Sequence, residues 1–275
     1  MKSKEEVLSS QKNWAERQEI DIDVDQYVTD RDNNFFGERS GETLRDFADG
    51  DGSEIRDNPK IRTKIFATHS SSALACNFFE YWRFRDRKPL AAALGLNKQI
   101  KALVFEQKFS MGMSGNMPNL DLALILSDGT VVGIESKFTE WMSPHDSIFR
   151  ESYFKNKKKR WRDVGLPACQ DLAQSIHKGT VTFRHLNAPQ LLKHALGIGN
   201  MTSASSRLIY LYFDLHRSSD IRKKHDEEIS RFKNLVNGEL QFKAITYQQL
   251  FSKLKKNTAD SEHSDYFGYL ENRYF

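Results

Sequence analysis

Three charged residues in one short stretch are where this sequence could first do chemistry. Residues 118–138 read PNLDLALILSDGTVVGIESKF, with Asp121 near the start of one apolar run and Glu135 and Lys137 at the end of the next. Both runs, LDLALIL and TVVGI, have strand composition, and the short link Ser127-Asp128-Gly129 joins them as a hairpin would. A buried hairpin does not tolerate such charges without partners or a metal.

Register decides whether they meet. A two-residue loop of Asp128-Gly129 would set Asp121 opposite Ser136 and turn Glu135 to the other face, because strand side chains alternate with period two. A three-residue loop Ser127-Asp128-Gly129, with Gly129 left-handed in a type I turn plus bulge, pairs Leu126 with Thr130 and brings Asp121 opposite Glu135. The second register sorts the ribbon and is the one expected. Leu120, Leu122, Leu124, Leu126, Val132 and Ile134 then share a core face. Asp121, Ala123, Ile125, Val131, Gly133, Glu135 and Lys137 share a working face, where the Ala123/Gly133 pair is expected to leave room beside the charges.

Two carboxylates at close range repel unless a divalent cation lies between them, and oxygen donors favour Mg²⁺ or Mn²⁺ over zinc. Lys137 adds positive charge where a phosphate or an attacking hydroxide would be, which suits metal-assisted hydrolysis of a phosphodiester. Spacing alone leaves a structural Asp/Glu/Lys ion-pair cluster equally open.

Pro118-Asn119-Leu120-Asp121 followed by Glu135-Ser136-Lys137 resembles the PD-(D/E)XK signature of the restriction-endonuclease-like nucleases, although two residues separate Pro118 from Asp121. Asp49-Gly50-Asp51-Gly52, Thr68-His69-Ser70-Ser71-Ser72-Ala73-Leu74-Ala75 and the Glu135-Ser136-Lys137 segment together are similar to bacterial restriction endonucleases. The resemblance implies an α/β fold with a restriction endonuclease-like core, a mixed central β-sheet flanked by helices. It implies a Mg²⁺-dependent DNA endonuclease, with Mn²⁺ able to substitute, acting on double-stranded DNA in restriction or other bacterial defence. Asp121, Glu135 and the Ser136 backbone carbonyl would then hold the metal, and Lys137 would orient or activate the attacking water. In that fold a helix before the sheet can supply a further carboxylate, for which Glu80 is a candidate; Glu106, mid-strand within VFEQKF beside the hairpin, is the better one. A helix after the Lys-bearing strand can turn a glutamine toward the site, which points to Gln170 in support. Two other readings stand beside this one: a structure-specific repair nuclease or RNase, and a nucleic-acid-binding module of the same fold without chemistry. A two-fold dimer would be natural for cutting both strands.

The elements that must position these residues are legible in outline. Residues 1–60 form an acidic N-terminal extension wrapping the core, 61–255 the nuclease domain, and 256–275 a loosely packed tail. The first 60 residues carry a net charge of −7 and the remainder +11, so the basic part is the nuclease-like part, as contact with a phosphate backbone requires. Lys155, Lys157, Lys158, Lys159, Arg160 and Arg162 follow the catalytic strand, around a Trp161 able to stack on a base; a solvated face would read the same. Residues 111–116 are a glycine-bearing loop fit to border a substrate groove.

Helices are expected over 5–19, 42–47, 69–84, 188–196 and 220–236, and from Pro167 onward. The 69–84 helix has Ser70 or a neighbouring serine as N-cap and, beside its apolar face, another side of Ala73, Asn77 and Glu80; the 188–196 helix ends near Gly197 and Gly199. Residues 100–110 read as the strand before the hairpin, 207–215 as a strand buried on both faces at the sheet centre, and 240–245 as an edge strand. Residues 21–25 imitate a calcium loop, but Gln26 stands where glycine is needed and Asp32 where glutamate is. Cys76 and Cys169 lie on apolar stripes and are expected reduced and buried. The absence of an 18-residue apolar run or an apolar leader predicts a cytoplasmic protein with no membrane contact.

Overall fold

A computed structural model describes residues 4–50, 63–111, 119–146, 148–155, 158–201, 206–214, 219–258 and 261–275. Pro118, Lys157 and the 112–116 loop therefore lie outside the described residues.

The loop at 127–129 sets the register of the sheet. Leu126 N donates to Thr130 O at 2.9 Å, Gly129 N to Leu126 O at 3.0 Å, and Gly129 takes φ +82°, a conformation open to glycine at little cost. Strands β2 (Asn119–Leu126) and β3 (Val131–Lys137) consequently pair Leu122 with Ile134, Ala123 with Gly133 and Leu124 with Val132, the expected register. β1 (Ile100–Lys108) lies antiparallel outside β2, while β4 (Arg207–Tyr212) and β5 (Gln241–Thr246) run parallel beyond β3. The result is one mixed sheet in the order β1-β2-β3-β4-β5. β4 is apolar and buried on both faces, as its composition requires, but it sits between β3 and the edge strand; β3 is the central strand.

Helices α1 (Lys4–Arg17), α2 (Gly41–Asp49), α3 (Ser71–Phe79) and α4 (Lys88–Leu94) precede the sheet. α5 (Arg160–Asp163), α6 (Pro167–His177) and α7 (Ala188–Met201) separate β3 from β4; α8 (Asp220–Leu235), α9 (Tyr247–Asn257) and α10 (Ser264–Tyr274) follow. The Ser70 hydroxyl accepts from Ala73 N and starts α3 as expected. The other side of that helix is covered as well: Ala73 and Asn77 are buried, and Asn77 bonds Phe36 N, Asn34 O and the Tyr274 hydroxyl.

α3 and α7 cover opposite faces of β3. Ser136 Oγ donates to Ser71 O at 3.1 Å on one face, whereas a Cβ built on Gly133 would stand 2.8 Å from Ile198 Cδ1 on the other. The room expected beside Ala123 and Gly133 is therefore filled, by α7 and also by Leu120, whose Cδ2 would stand 2.8 Å from the same Cβ and so does not keep to the face expected for it. That helix runs on through Gly197 and Gly199 instead of ending there, because both glycines serve close approach. A Cβ on Gly197 would lie 2.6 Å from Phe109 Cβ, and one on Gly199 2.9 Å from Val164 Cγ2.

The last residues are not a loose tail. α10 buries Tyr266, Leu270, Arg273 and Tyr274, and the Arg273 guanidinium donates to Asn34 O at 2.7 Å while lying 4.0 Å over the Trp14 ring. Gln11 of α1 donates to Arg273 O at 2.9 Å, so the acidic extension and the C-terminal helix hold each other. A buried guanidinium needs such full engagement, since an unpaired charge there is costly. Both cysteines are free and buried, and burial pushes their thiols up. No helix among the described residues is long and apolar enough to cross a membrane.

Candidate active site

Three adjacent strands carry acids at one end of the hairpin. Phe105 faces Leu122 and Gln107 faces Leu120, so Glu106 of β1 and Asp121 of β2 fall at the same level. The β2–β3 pairing runs regularly as far as Leu122 and Ile134; just beyond it Leu120 Cδ2 would stand 2.8 Å from a Cβ built on Gly133, so β2 leaves the plain ladder where Asp121 begins. Glu135 is paired with Tyr210 on β4, and Lys137 stands two residues beyond Glu135 on its face. Glu106 takes φ +48°, a strained conformation for a glutamate that costs on the order of 1 kcal/mol or more. The end of α2 presses on it there: a Cβ on Gly50 would lie 2.9 Å from Glu106 Cβ.

Glu135 is the hub of the site. Its side chain is 1% exposed, Oε1 is bridged by Lys137 Nζ, and Oε2 lies 2.8 Å from His194 Nε2. The imidazole meets the carboxylate obliquely, so neither of those two buried atoms has a well-aligned hydrogen-bond partner. Asp121 Oδ2 accepts from Ser136 N at 2.6 Å. Electrostatics separates the two acids. Burial, with the charge of Glu135 next, pushes Asp121 well above the usual carboxylate range, against the pull of Lys137. Burial acts on Glu135 in the same direction, but Lys137 and His194 together outweigh it and hold that carboxyl at about 2. Burial would lower the Lys137 amine; Glu135 and Asp121 overcome it and raise it, keeping the ammonium charged. Two acids with opposite shifts, one of them overcharged by its neighbours, mark a functional site more often than a structural one.

The donor set consists of carboxylate oxygens, which suit a hard divalent cation, and the pressure on Asp121 is negative charge that a cation would relieve. Among the described residues, however, no three His, Cys, Asp or Glu side chains converge on one point. Lys137 and His194 hold the two oxygens of Glu135 instead, so a metal can enter only when Lys137 moves aside. Beside Lys137 opens a cavity of about 330 Å³, lined also by Glu140, Trp141, His145, His185 and Tyr210.

Other expected residues lie elsewhere. Glu80 is not at the site: its carboxylate accepts from Ser40 N, the Thr43 hydroxyl and Arg83 Nε, fixing the start of α2. α3 covers the face of β3 opposite Glu135, so it cannot bring an acid to that residue. Gln170 is fully buried with Oε1 accepting from Trp161 N at 3.2 Å, which ties α6 to α5. Trp161 cannot stack on a base, because it is wholly buried and donates to Leu192 O at 2.7 Å. Lys155, Lys158, Lys159 and Arg162 are exposed, Arg160 is half-buried, and Arg162 pairs with Asp171 at 2.7 Å. His194 was missed. The available signal was one histidine among Leu191, Ala195 and Ile198 on the buried stripe of its helix, a pattern that ordinarily means core.

A five-stranded mixed sheet between helices, with acids and a lysine gathered on its central hairpin, is a restriction endonuclease-like core. The family described as restriction endonuclease associating with ARP matches residues 10–275, and the chain belongs to it. That membership suggests a nuclease, with DNA the substrate the family implies. No curated protein and no solved structure was found to match the chain.

Proposed function

We propose that the chain is a Mg²⁺-dependent endodeoxyribonuclease of the PD-(D/E)XK superfamily, acting on duplex DNA in bacterial defence of restriction type. The observation that supports this best is the grouping of Glu106, Asp121 and Glu135 on three adjacent strands, where the charges of Glu135, Lys137 and Glu106 all bear on Asp121, with Lys137 held against Glu135.

Asp121, Glu135 and the Ser136 backbone carbonyl would hold the metal, with Glu106 the remaining acid in reach of it. A bound Mg²⁺ supplies charge stabilisation at the phosphate and a more acidic water. The chain does the rest. Ser136 N fixes one oxygen of Asp121, leaving the other free to bind. The Lys137 ammonium, released from Glu135, meets a non-bridging phosphate oxygen and offsets the charge that develops on phosphorus. Lys155, Lys157, Lys158, Lys159, Arg160 and Arg162 would hold the phosphate backbone as point charges, without base stacking. A two-fold dimer would place one such site on each strand.

The test is incubation of the protein with plasmid and phage DNA plus Mg²⁺, followed by sequencing of the ends, with single-stranded, branched and RNA substrates in parallel. Asp121→Ala, Glu135→Ala and Lys137→Ala should each cut cleavage by orders of magnitude while the fold stands. Cleavage retained in Glu135→Ala overturns the mechanism. Preference for RNA or branched substrates overturns the substrate.

A further inference from the structure

We infer that His194 is the positioning residue of Glu135, holding its carboxylate in place while Lys137 exchanges with a metal ion. This rests on the reading of Glu135 as a metal ligand.

Packing does not require a histidine here. His194 is 1% exposed on α7, with Leu191, Ala195 and Ile198 buried around it; its Nδ1 has no partner, and its Nε2 meets Glu135 Oε2 as a close contact outside ideal hydrogen-bond alignment. Burying an imidazole with an unsatisfied nitrogen is unfavourable, and a leucine would fill the space without that cost. What the histidine adds is its other nitrogen, 2.8 Å from Glu135 Oε2.

The backbone places that nitrogen closely. Ile198, one helical turn beyond His194, seats on Gly133, two residues from Glu135 on β3, so α7 lies along the strand and meets it at both points. A turn of helix advances about 5.4 Å and two strand residues about 6.6 Å, near enough for both contacts to hold together. Gly197 allows this approach by admitting Phe109 where a side chain would stand.

The two partners of Glu135 differ in freedom. Lys137 keeps 14% of its side chain exposed on a flexible four-carbon stem, whereas His194 is a rigid ring sealed in the core. When a divalent cation approaches, the ammonium leaves toward solvent or phosphate, and the imidazole stays. A carboxylate restrained at one oxygen keeps its orientation through the exchange. Losing such an outer partner typically weakens a metal site about 10- to 100-fold.

The test measures Mn²⁺ binding by electron paramagnetic resonance and steady-state cleavage on the full chain. Its variants are His194→Leu, which fills the apolar space, and His194→Gln, which keeps an N–H donor. His194→Leu should weaken Mn²⁺ roughly 10-fold or more and lower kcat with little change in KM for DNA, and His194→Gln should recover most of both. Should His194→Leu not fold, His194→Met against His194→Gln, nearly equal in volume, carries the same comparison. Wild-type Mn²⁺ affinity in His194→Leu overturns the inference and leaves the histidine as packing. A nitrogen hyperfine coupling to bound Mn²⁺ in the wild type overturns it in favour of direct ligation. A wild-type protein that binds no Mn²⁺ removes the metal reading itself, and this inference with it.

Discussion

Asp121→Asn separates a metal site from a structural ion-pair cluster by the sign of its effect on stability. Asp121 feels the charge of Glu135 as the largest influence on it after burial, and its Oδ2 accepts from Ser136 N, the residue that follows Glu135. Two unit charges about 5 Å apart repel by roughly 3 kcal/mol at an effective dielectric near 20, and Lys137, bridged to Glu135, returns part of this. Asn keeps an oxygen for Ser136 N and removes the charge, so the metal-free variant should be more stable than wild type by about 1–2 kcal/mol. For a chain of this size that is an increase in melting temperature of a few degrees. Mg²⁺ should reverse the order: at a hundredfold excess over Kd it stabilises the wild type by about 2.7 kcal/mol, and the variant much less. The assay is urea unfolding in EDTA and again in saturating Mg²⁺, with plasmid cleavage alongside. A metal-free Asp121→Asn less stable than wild type would refute the reasoning, because Asp121 would then be a favourable member of a salt-bridge cluster. Equal Mg²⁺ stabilisation of both proteins would refute it as well.

Gly197→Ala should destabilise by about 1–3 kcal/mol in urea titrations, since its Cβ would meet Phe109 Cβ at 2.6 Å, and an unchanged midpoint would show that α7 can lift off Phe109 at no cost. His225 is buried, stacked 4.2 Å from Trp141 and bonded to the Tyr210 hydroxyl at 2.9 Å; burial first, then Arg222, hold its imidazole well below the ordinary value. The unfolded chain binds that proton near pH 6.5 and the folded chain does not, so stability should be full above this pH and fall below it by up to about 1.4 kcal/mol per unit. Unfolding at pH 7.5 and pH 5.5 should therefore differ in wild type by about 1 kcal/mol more than in His225→Phe, and equal differences would refute the assignment. Lys158→Ala and Lys159→Ala should each reduce the slope of log affinity for duplex DNA against log salt by about 0.9, and unchanged slopes would make these residues a solvated face.

Local pattern carried the parts of this fold that depend on neighbours in sequence. The length of the 127–129 loop and the period-two alternation of β2 and β3 fix a register, and a register slip by one residue would have thrown every leucine of β2 out of the core. The helix starts at Ser70 and Pro167 were legible for the same reason: a cap acts on amide groups within its own first turn. Gly197 and Gly199 misled because the glycine that ends a helix and the glycine that lets a helix approach Phe109 are identical in sequence, and only the tertiary neighbour distinguishes them. Trp161 misled in the same way, since a run of lysines describes its own solvation and says nothing about whether an indole among them turns toward Leu192. The aromatic C-terminus read as a tail because its partners, Asn34 and Trp14, lie more than two hundred residues away.

The candidate site divides along the same line. Asp121, Glu135 and Lys137 are joined by one hairpin, so their meeting is settled by a turn of three residues, and Glu106 follows from a strand paired to the same hairpin. Glu80 failed on geometry: Ser136 and Glu135 point to opposite faces of β3, and α3 covers the Ser136 face. His194 reaches Glu135 through a helix that packs on β3 from more than fifty residues downstream, and which face of α7 meets which face of β3 is decided by glycine-lined contacts, not by anything periodic in either segment. Its one local trace, an imidazole on an apolar stripe, has the same pattern as a core histidine. What separates the two is a carboxylate 2.8 Å away, and that distance belongs to the pairing of α7 with β3.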